Sequence, residues 1–183
     1  MAIFTNLQLV EADKHGMFES SRIKVTVVGH LYDAIVRDDA DKAIEVDNGV
    51  AIKMGAHTGD GLQTRFATVA KAGDKIAVTG SPAIVKTART KAEEAEYNFY
   101  HAAGVVAKAY ELVEEDIFAV AKYQFTAGDV KVGAFVKVDG NGAWEATDVD
   151  PSATNGFVGK VHSIAANEFY PMVRIEVIQN KQI

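Results

Sequence analysis

The chain has 183 residues, 48% hydrophobic and 24% charged, with 3 prolines and a net charge of −6. That hydrophobic content excludes intrinsic disorder, and the acidic balance excludes a uniform positive field for holding phosphate backbones. The absence of cysteine removes disulfides, thiolate metal sites and cysteine nucleophiles together.

Met1 to Val10 is apolar only in short pieces and lacks a basic leader region, and Glu11, Asp13 and Lys14 interrupt it. No signal peptide is expected, and no apolar run reaches the roughly 18–20 residues of a membrane helix. Ile3, Phe4, Leu7, Leu9 and Val10 precede the turn-like Asp13-Lys14-His15-Gly16. Two readings of this segment stay open: an arm that pairs with a neighbour's strand edge, or the first strand of the domain.

Ile23-Lys24-Val25-Thr26-Val27 alternates apolar and polar residues, the two-residue period of a half-buried strand. Asp38-Asp39-Ala40-Asp41, followed by Glu45 and Asp47, invites a calcium reading. The EF-hand pattern fails, because Ala43 stands where an oxygen ligand is needed, and a solvated acidic loop is favoured. Asp47-Asn48-Gly49 reads as a turn feeding a strand at Val50-Ala51-Ile52. The glycine-rich Gly55–Gly61 fits no phosphate-binding motif, and Leu62–Ala67 resembles a strand entry.

Ala88, Ala92, Ala95 and Phe99 recur at helical spacing among good helix formers, which predicts a short helix over 88–99. The basic run from Lys86 to Lys91 leads directly into acidic residues and reads as solvated surface. Farther on, Val136-Lys137-Val138 runs into Asp139-Gly140-Asn141-Gly142 and then Ala143-Trp144, a strong hairpin signal. Val173–Val177 alternates as a further half-buried strand.

No chemistry-bearing constellation emerges. His15, His30, His57, His101 and His162 are scattered without metal-pair spacing, and no nucleophile elbow is present. Glu93-Glu94 and Glu114-Glu115 read as exposed carboxylates. The expectation is a protein without catalytic residues, metal or cofactor.

Gly73–Gly80 matches Gly133–Gly140 without a gap, and Gly104–Lys122 matches Gly156–Arg174, also without a gap. The first copy carries additional residues in the loop where the helix is expected. Each copy would be a strand, a turn, a variable loop and a hairpin. The division that follows is an N-terminal arm and β segment over 1–63, a first β module with a helical insertion over 64–123, and a second module over 124–183. Chance similarity between two β hairpins remains the alternative. The fold class expected is mainly β: two related small barrel or sandwich modules, one short inserted helix and an N-terminal β segment or arm.

Asp47-Asn48-Gly49-Val50, Ala72–Pro82, Phe99-Tyr100, Ala103-Gly104, Ala109-Tyr110, Phe118-Ala119-Val120 and Gly156–Val161 together resemble the capsid accessory proteins of tailed bacteriophages, the decoration, cement or head-fibre proteins. The similarity runs from about Lys24 to the C-terminus and rests on patterns of glycine and β formers. It implies a β-rich virion structural protein that binds the major capsid protein on the outer shell, assembled in the host cytoplasm, as a homo-oligomer. It also implies no cofactor, no nucleic acid and no membrane. Candidate partner contacts are Ile3, Phe4, Leu7 and Leu9 in the arm, and Tyr97 and Phe99 at the insertion. The alternatives are a tail or baseplate component and a carbohydrate-binding module stacking sugars on Trp144, Tyr97 or Tyr100. An enzyme on a β barrel comes last.

Overall fold

Strands dominate the computed structural model, which describes residues 15–23, 30–59, 63–84, 96–165 and 170–183. Ile3, Phe4, Leu7 and Leu9, the strand expected beyond Ile23, and positions 88–95 of the expected helix lie outside these residues. In chain order the strands are β1 (Phe18–Arg22), β2 (Leu31–Arg37), β3 (Val46–Asp47), β4 (Ala51–His57), β5 (Thr64–Val69), β6 (Ala77–Thr79) and β7 (Tyr100–His101). They continue as β8 (Ala107–Glu111), β9 (Ile117–Ala121), β10 (Phe125–Ala127), β11 (Phe135–Val138), β12 (Trp144–Thr147), β13 (Phe157–Ala165) and β14 (Met172–Asn180). The protein is mainly β, as its alternating segments require.

Five strands close a barrel in the order β2-β5-β4-β6-β8, with β2 and β5 parallel and the other pairs antiparallel. Its interior holds Ala34, Ala67, Ala77, Ala107 and Ala109 with Val36, Val46 and Ile52. A five-stranded barrel is narrow, and alanine fills it without strain. The other large assembly is a seven-stranded sheet in the order β1-β9-β14-β13-β11-β12-β10. A two-stranded ribbon, β3 with β7, is separate from both.

One core joins barrel and sheet. Ala51, Ile76, Val78 and Leu112 from the barrel side meet Phe118, Val120, Trp144, Phe157, Val173 and Ile175 from the sheet. The two-residue strand period explains how. In β6, Ala77 turns into the barrel and Val78 into the shared core, so the whole strand is buried. In β9, Phe118 and Val120 face that core while Ala119 and Ala121 pack against Met17, Tyr97 and Met172.

The segments matched in sequence share local form but diverge in pairing. Lys71–Asp74 and Lys131–Ala134 each close a four-residue turn, with N···O distances of 3.0 and 3.1 Å, and lead into β6 and β11, but only the second has a left-handed third residue, Gly133 at φ 87°. Each of these strands pairs antiparallel with the strand after the variable loop, β8 or β13. The final hairpin forms only once. β13 and β14 pair with each other, whereas β8 closes the barrel on β2 and β9 joins the sheet between β1 and β14. Strands on both sides of position 63 share the barrel, and β9, which precedes position 123, belongs to the sheet.

Of the expected helix, the described end is a single 3-10 turn at Glu96–Asn98, and Tyr100 already starts β7. Burial of Tyr97 on one side and pairing of Tyr100 with Asp47 on the other outweigh helix propensity there.

The expected hairpin at Asp139–Gly142 is present. The Asp139 N–H donates to the Ala143 carbonyl, and its Oδ1 accepts the N–H groups of Asn141 (2.7 Å) and Ala143 (2.9 Å). The acidic loop repeats this design: Asp38 N–H donates to Lys42 O, and Asp38 Oδ1 accepts Ala40 and Lys42 N–H at 2.9 Å. The fourth residue is left-handed in both, Asp41 at φ 64° and Gly142 at φ 75°. Asp38 is thus a turn-former. At Gly142 a methyl group would lie 2.6 Å from the Ala51 carbonyl oxygen, whereas Gly140 has open space around it. Gly142→Ala is therefore expected to cost about 2 kcal/mol or more, and Gly140→Ala less than about 0.5 kcal/mol, in urea unfolding.

Candidate functional site

The Asp47-Asn48-Gly49 turn, with Gly49 at φ 78°, is the point where barrel, sheet and N-terminal strand meet. The Asp47 carboxylate accepts from the His15 ring (Nδ1, 2.8 Å) and from the Gly16 N–H (3.1 Å). The His15 N–H donates to Tyr97 O at 2.6 Å, and the Tyr123 hydroxyl donates to His15 O at 2.5 Å. Gln124 Oε1 accepts from Met17 N and Ala121 N, while its Nε2 donates to Asn48 O. These bonds clasp residues 15–17 in place. Asn48 itself is 4% exposed; its amide exchanges two 2.9 Å hydrogen bonds with the Ser81 backbone, and Oδ1 lies 3.2 Å from His101 Nε2.

His101 is buried, with the Phe99 ring edge-on at 4.9 Å. Burial pushes its imidazole below the usual range, against the opposing pull of the Asp47 charge. A base held neutral by the fold contributes stability that is full above its unfolded value of about 6.5 and is lost as pH falls through the lower folded value. Stability is accordingly expected to fall as pH is lowered from about 7 to about 5, and His101→Gln to flatten that slope, as followed by urea midpoints at each pH.

Beside the ribbon runs an apolar groove of about 520 Å³, lined chiefly by Pro82, Ile84, Phe99, Tyr100, Val105 and Val106. Ile84, Tyr100, Val105 and Val106 are exposed, Ile84 at 65%. Two polar residues on its wall, Ser81 and His101, are bonded to internal partners. Ser81 is bonded through its backbone to Asn48, and its Oγ accepts Lys108 N–H at 2.9 Å. His101 is held on Asn48. Among the described residues that line it there is no Asp, Glu, Lys or Arg. Such a surface supplies contact area and supplies no convergent polar groups that would orient a small substrate.

The sequence-based contact candidates separate here. Phe99 lines the groove. Tyr97 does not: it is 4% exposed and packs edge-on against Tyr170 at 5.6 Å, beside Met17 and Met172. Its amphipathic ring was compatible with either place, and the third core cluster claims it. The sugar-stacking reading loses Trp144 in the same way. That ring is fully buried against Phe118 and Phe157, and its Nε1–H donates to Gly49 O at 2.8 Å. Among the described residues no three His, Asp or Glu side chains gather in an arrangement that could hold a metal. Glu114 and Glu115 are exposed on a turn, and Glu93-Glu94 lie outside the described residues. No helix among the described residues is long and apolar enough to cross a membrane.

Sequence reasoning singled out the Asp47–Gly49 turn but missed the roles of Asn48, Gln124 and His15. Only the turn-forming signal was present locally; their long-range partners lie 32 to 108 residues away.

The fold and groove define a class: a mainly β protein built on a closed five-stranded barrel and a seven-stranded sheet, with a groove whose described lining is largely apolar. Compared with protein-family models, curated proteins and solved structures, the chain matches none.

Proposed function

We propose that this chain is a non-catalytic structural protein that decorates or cements the outer surface of a tailed-bacteriophage capsid, binding the major capsid protein as a homo-oligomer. The observation that carries the reading is the groove. Among the described residues its lining is largely apolar and carries no charged side chain, which suits attachment to a protein surface better than turnover of a substrate. The sequence resemblance supports the same role. Its segments coincide with the shared scaffold: the Asp47–Gly49 turn, β6, β8, β9 and β13. A net charge of −6 suits the outside of a shell better than a face turned to packaged DNA. Many copies, each bridging neighbouring subunits, would resist internal pressure through summed contacts.

A tail or baseplate position is the second reading, and copy number separates the two. Particles purified from the producing culture should contain this chain at a whole-number ratio to the most abundant shell protein by quantitative mass spectrometry. A few copies per particle would move it to the tail, and complete absence would refute both. Deleting residues 1–14 is expected to abolish particle binding while thermal melting stays cooperative, because the clasp on His15–Met17 is retained. Loss of cooperative melting would make that segment part of the core.

A further inference from the structure

We propose that Asn141 is a site of spontaneous covalent modification, where the Gly142 backbone nitrogen displaces the side-chain amide and leaves isoaspartate and aspartate in the hairpin. Three Asn-Gly pairs occur in the chain: Asn48-Gly49, Asn141-Gly142 and Asn155-Gly156. Glycine has no Cβ to shield its nitrogen, so the three pairs carry comparable intrinsic reactivity. The fold separates them. Asn48 and Asn155 are 4% and 6% exposed. Both side-chain amides are hydrogen-bonded, Asn48 to the Ser81 backbone and Asn155 to Pro151 O and Thr154 Oγ1. Their glycine nitrogens are committed as well: Gly49 N–H donates to Thr79 O and Gly156 N–H to Ala72 O, each at 2.7 Å. Asn141 is different. Its side chain is exposed, and among the described residues neither its amide nor the Gly142 N–H makes a hydrogen bond. Gly142 is buried, yet its nitrogen is left without an acceptor.

The reaction needs only water. The Gly142 nitrogen gives its proton to water or hydroxide and attacks Asn141 Cγ. The new N–Cγ bond closes a succinimide ring, and the side-chain nitrogen takes up a proton and leaves as ammonia. Water then opens the ring on either side of that nitrogen. Cleaving N–Cγ gives aspartate; cleaving the bond to the main-chain carbonyl gives isoaspartate, with the backbone rerouted through Cβ and Cγ. Either product adds a negative charge to a chain already at −6. Asn141 lines two neighbouring cavities whose walls also carry Asp38, Asp39, Glu45 and Asp47, so the new carboxylate meets like charges. Isoaspartate also lengthens the backbone inside the turn that the Asp139 N–H and Oδ1 close onto Ala143. Conversion is therefore expected to weaken this hairpin.

The test incubates the free, folded, full-length protein at mildly alkaline pH and follows each Asn-Gly peptide by mass spectrometry, with fragmentation that distinguishes isoaspartate from aspartate. Asn141 is expected to convert at least about tenfold faster than Asn48 or Asn155, which must first break buried hydrogen bonds. In a parallel sample unfolded in guanidinium chloride the three rates should come together. Asn141→Gln, whose longer side chain closes a larger ring and does so more slowly, should keep its urea midpoint during the same incubation while that of the unaltered chain falls. Four results would each overturn the proposal: Asn141 staying an amide in the folded protein, Asn48 or Asn155 converting as fast, the lead of Asn141 persisting in the unfolded chain, or a midpoint change no larger in the unaltered chain than in Asn141→Gln. No particle is present, so the outcome bears on this site alone and leaves the capsid reading untouched.

Discussion

Replacing Trp144 with alanine is expected to destabilise the protein by about 3–5 kcal/mol, the range for removing a buried aromatic side chain. Trp144 is fully buried, with the Phe118 centroid 5.4 Å and the Phe157 centroid 5.5 Å away. It also joins the two halves of the molecule, since it belongs to the sheet and its Nε1–H donates to Gly49 beside the barrel strand β4. Domain stabilities are only about 5–15 kcal/mol, so the variant would lose much of its margin. Trp144→Phe separates the two contributions. It keeps most of the packing but leaves the Gly49 carbonyl without this donor, an expected loss of about 1–3 kcal/mol. Urea unfolding followed by far-UV circular dichroism measures both. A loss below about 1 kcal/mol for Trp144→Ala would contradict the shared core.

The second large effect is expected at Asn48. Truncation to alanine strands the Ser81 N–H, the Ser81 carbonyl and His101 Nε2, all of which meet the Asn48 amide. Each buried group left unpaired costs about 1–3 kcal/mol, and entry of water offsets part of the sum, so a loss of about 2–4 kcal/mol is expected. Asn48→Asp should be no better, because a carboxylate would face the Ser81 carbonyl with no donor to offer it. Hydrogen exchange gives a local readout: the Ser81 amide is expected to lose protection in Asn48→Ala while β13 and β14 amides keep theirs. An unchanged Ser81 amide would show that the bond pair carries no weight.

Both predictions concern residues whose importance arises from distant partners, and this marks the limit of what could be read in advance. The hairpin at Asp139–Gly142, the Asp47–Gly49 turn and the alternation of Val173–Val177 were legible because each depends on neighbours a few residues apart. Turn residues satisfy their own backbone, and a two-residue period needs only a core on one side.

What the duplication did not reveal is that β8 and β9 part company while β13 and β14 stay paired. Strand partnership is decided by which long-range closure buries most apolar area, and the local pattern of a strand is indifferent to it. The same holds for the aromatics. Tyr97, Phe99 and Tyr100 stand within four positions of one another, yet Tyr97 is core while Phe99 and Tyr100 line the groove, Tyr100 exposed and stacked on His15. A β protein with turns at defined places and an acidic balance followed from local patterns alone, because local sterics and alternation suffice for these. The closed barrel, the burial of Trp144 and Tyr97, the Asn48 clasp and the groove emerge only in the folded chain. Those come from contacts between segments tens of residues apart, where burial and hydrogen-bond satisfaction outweigh local preference.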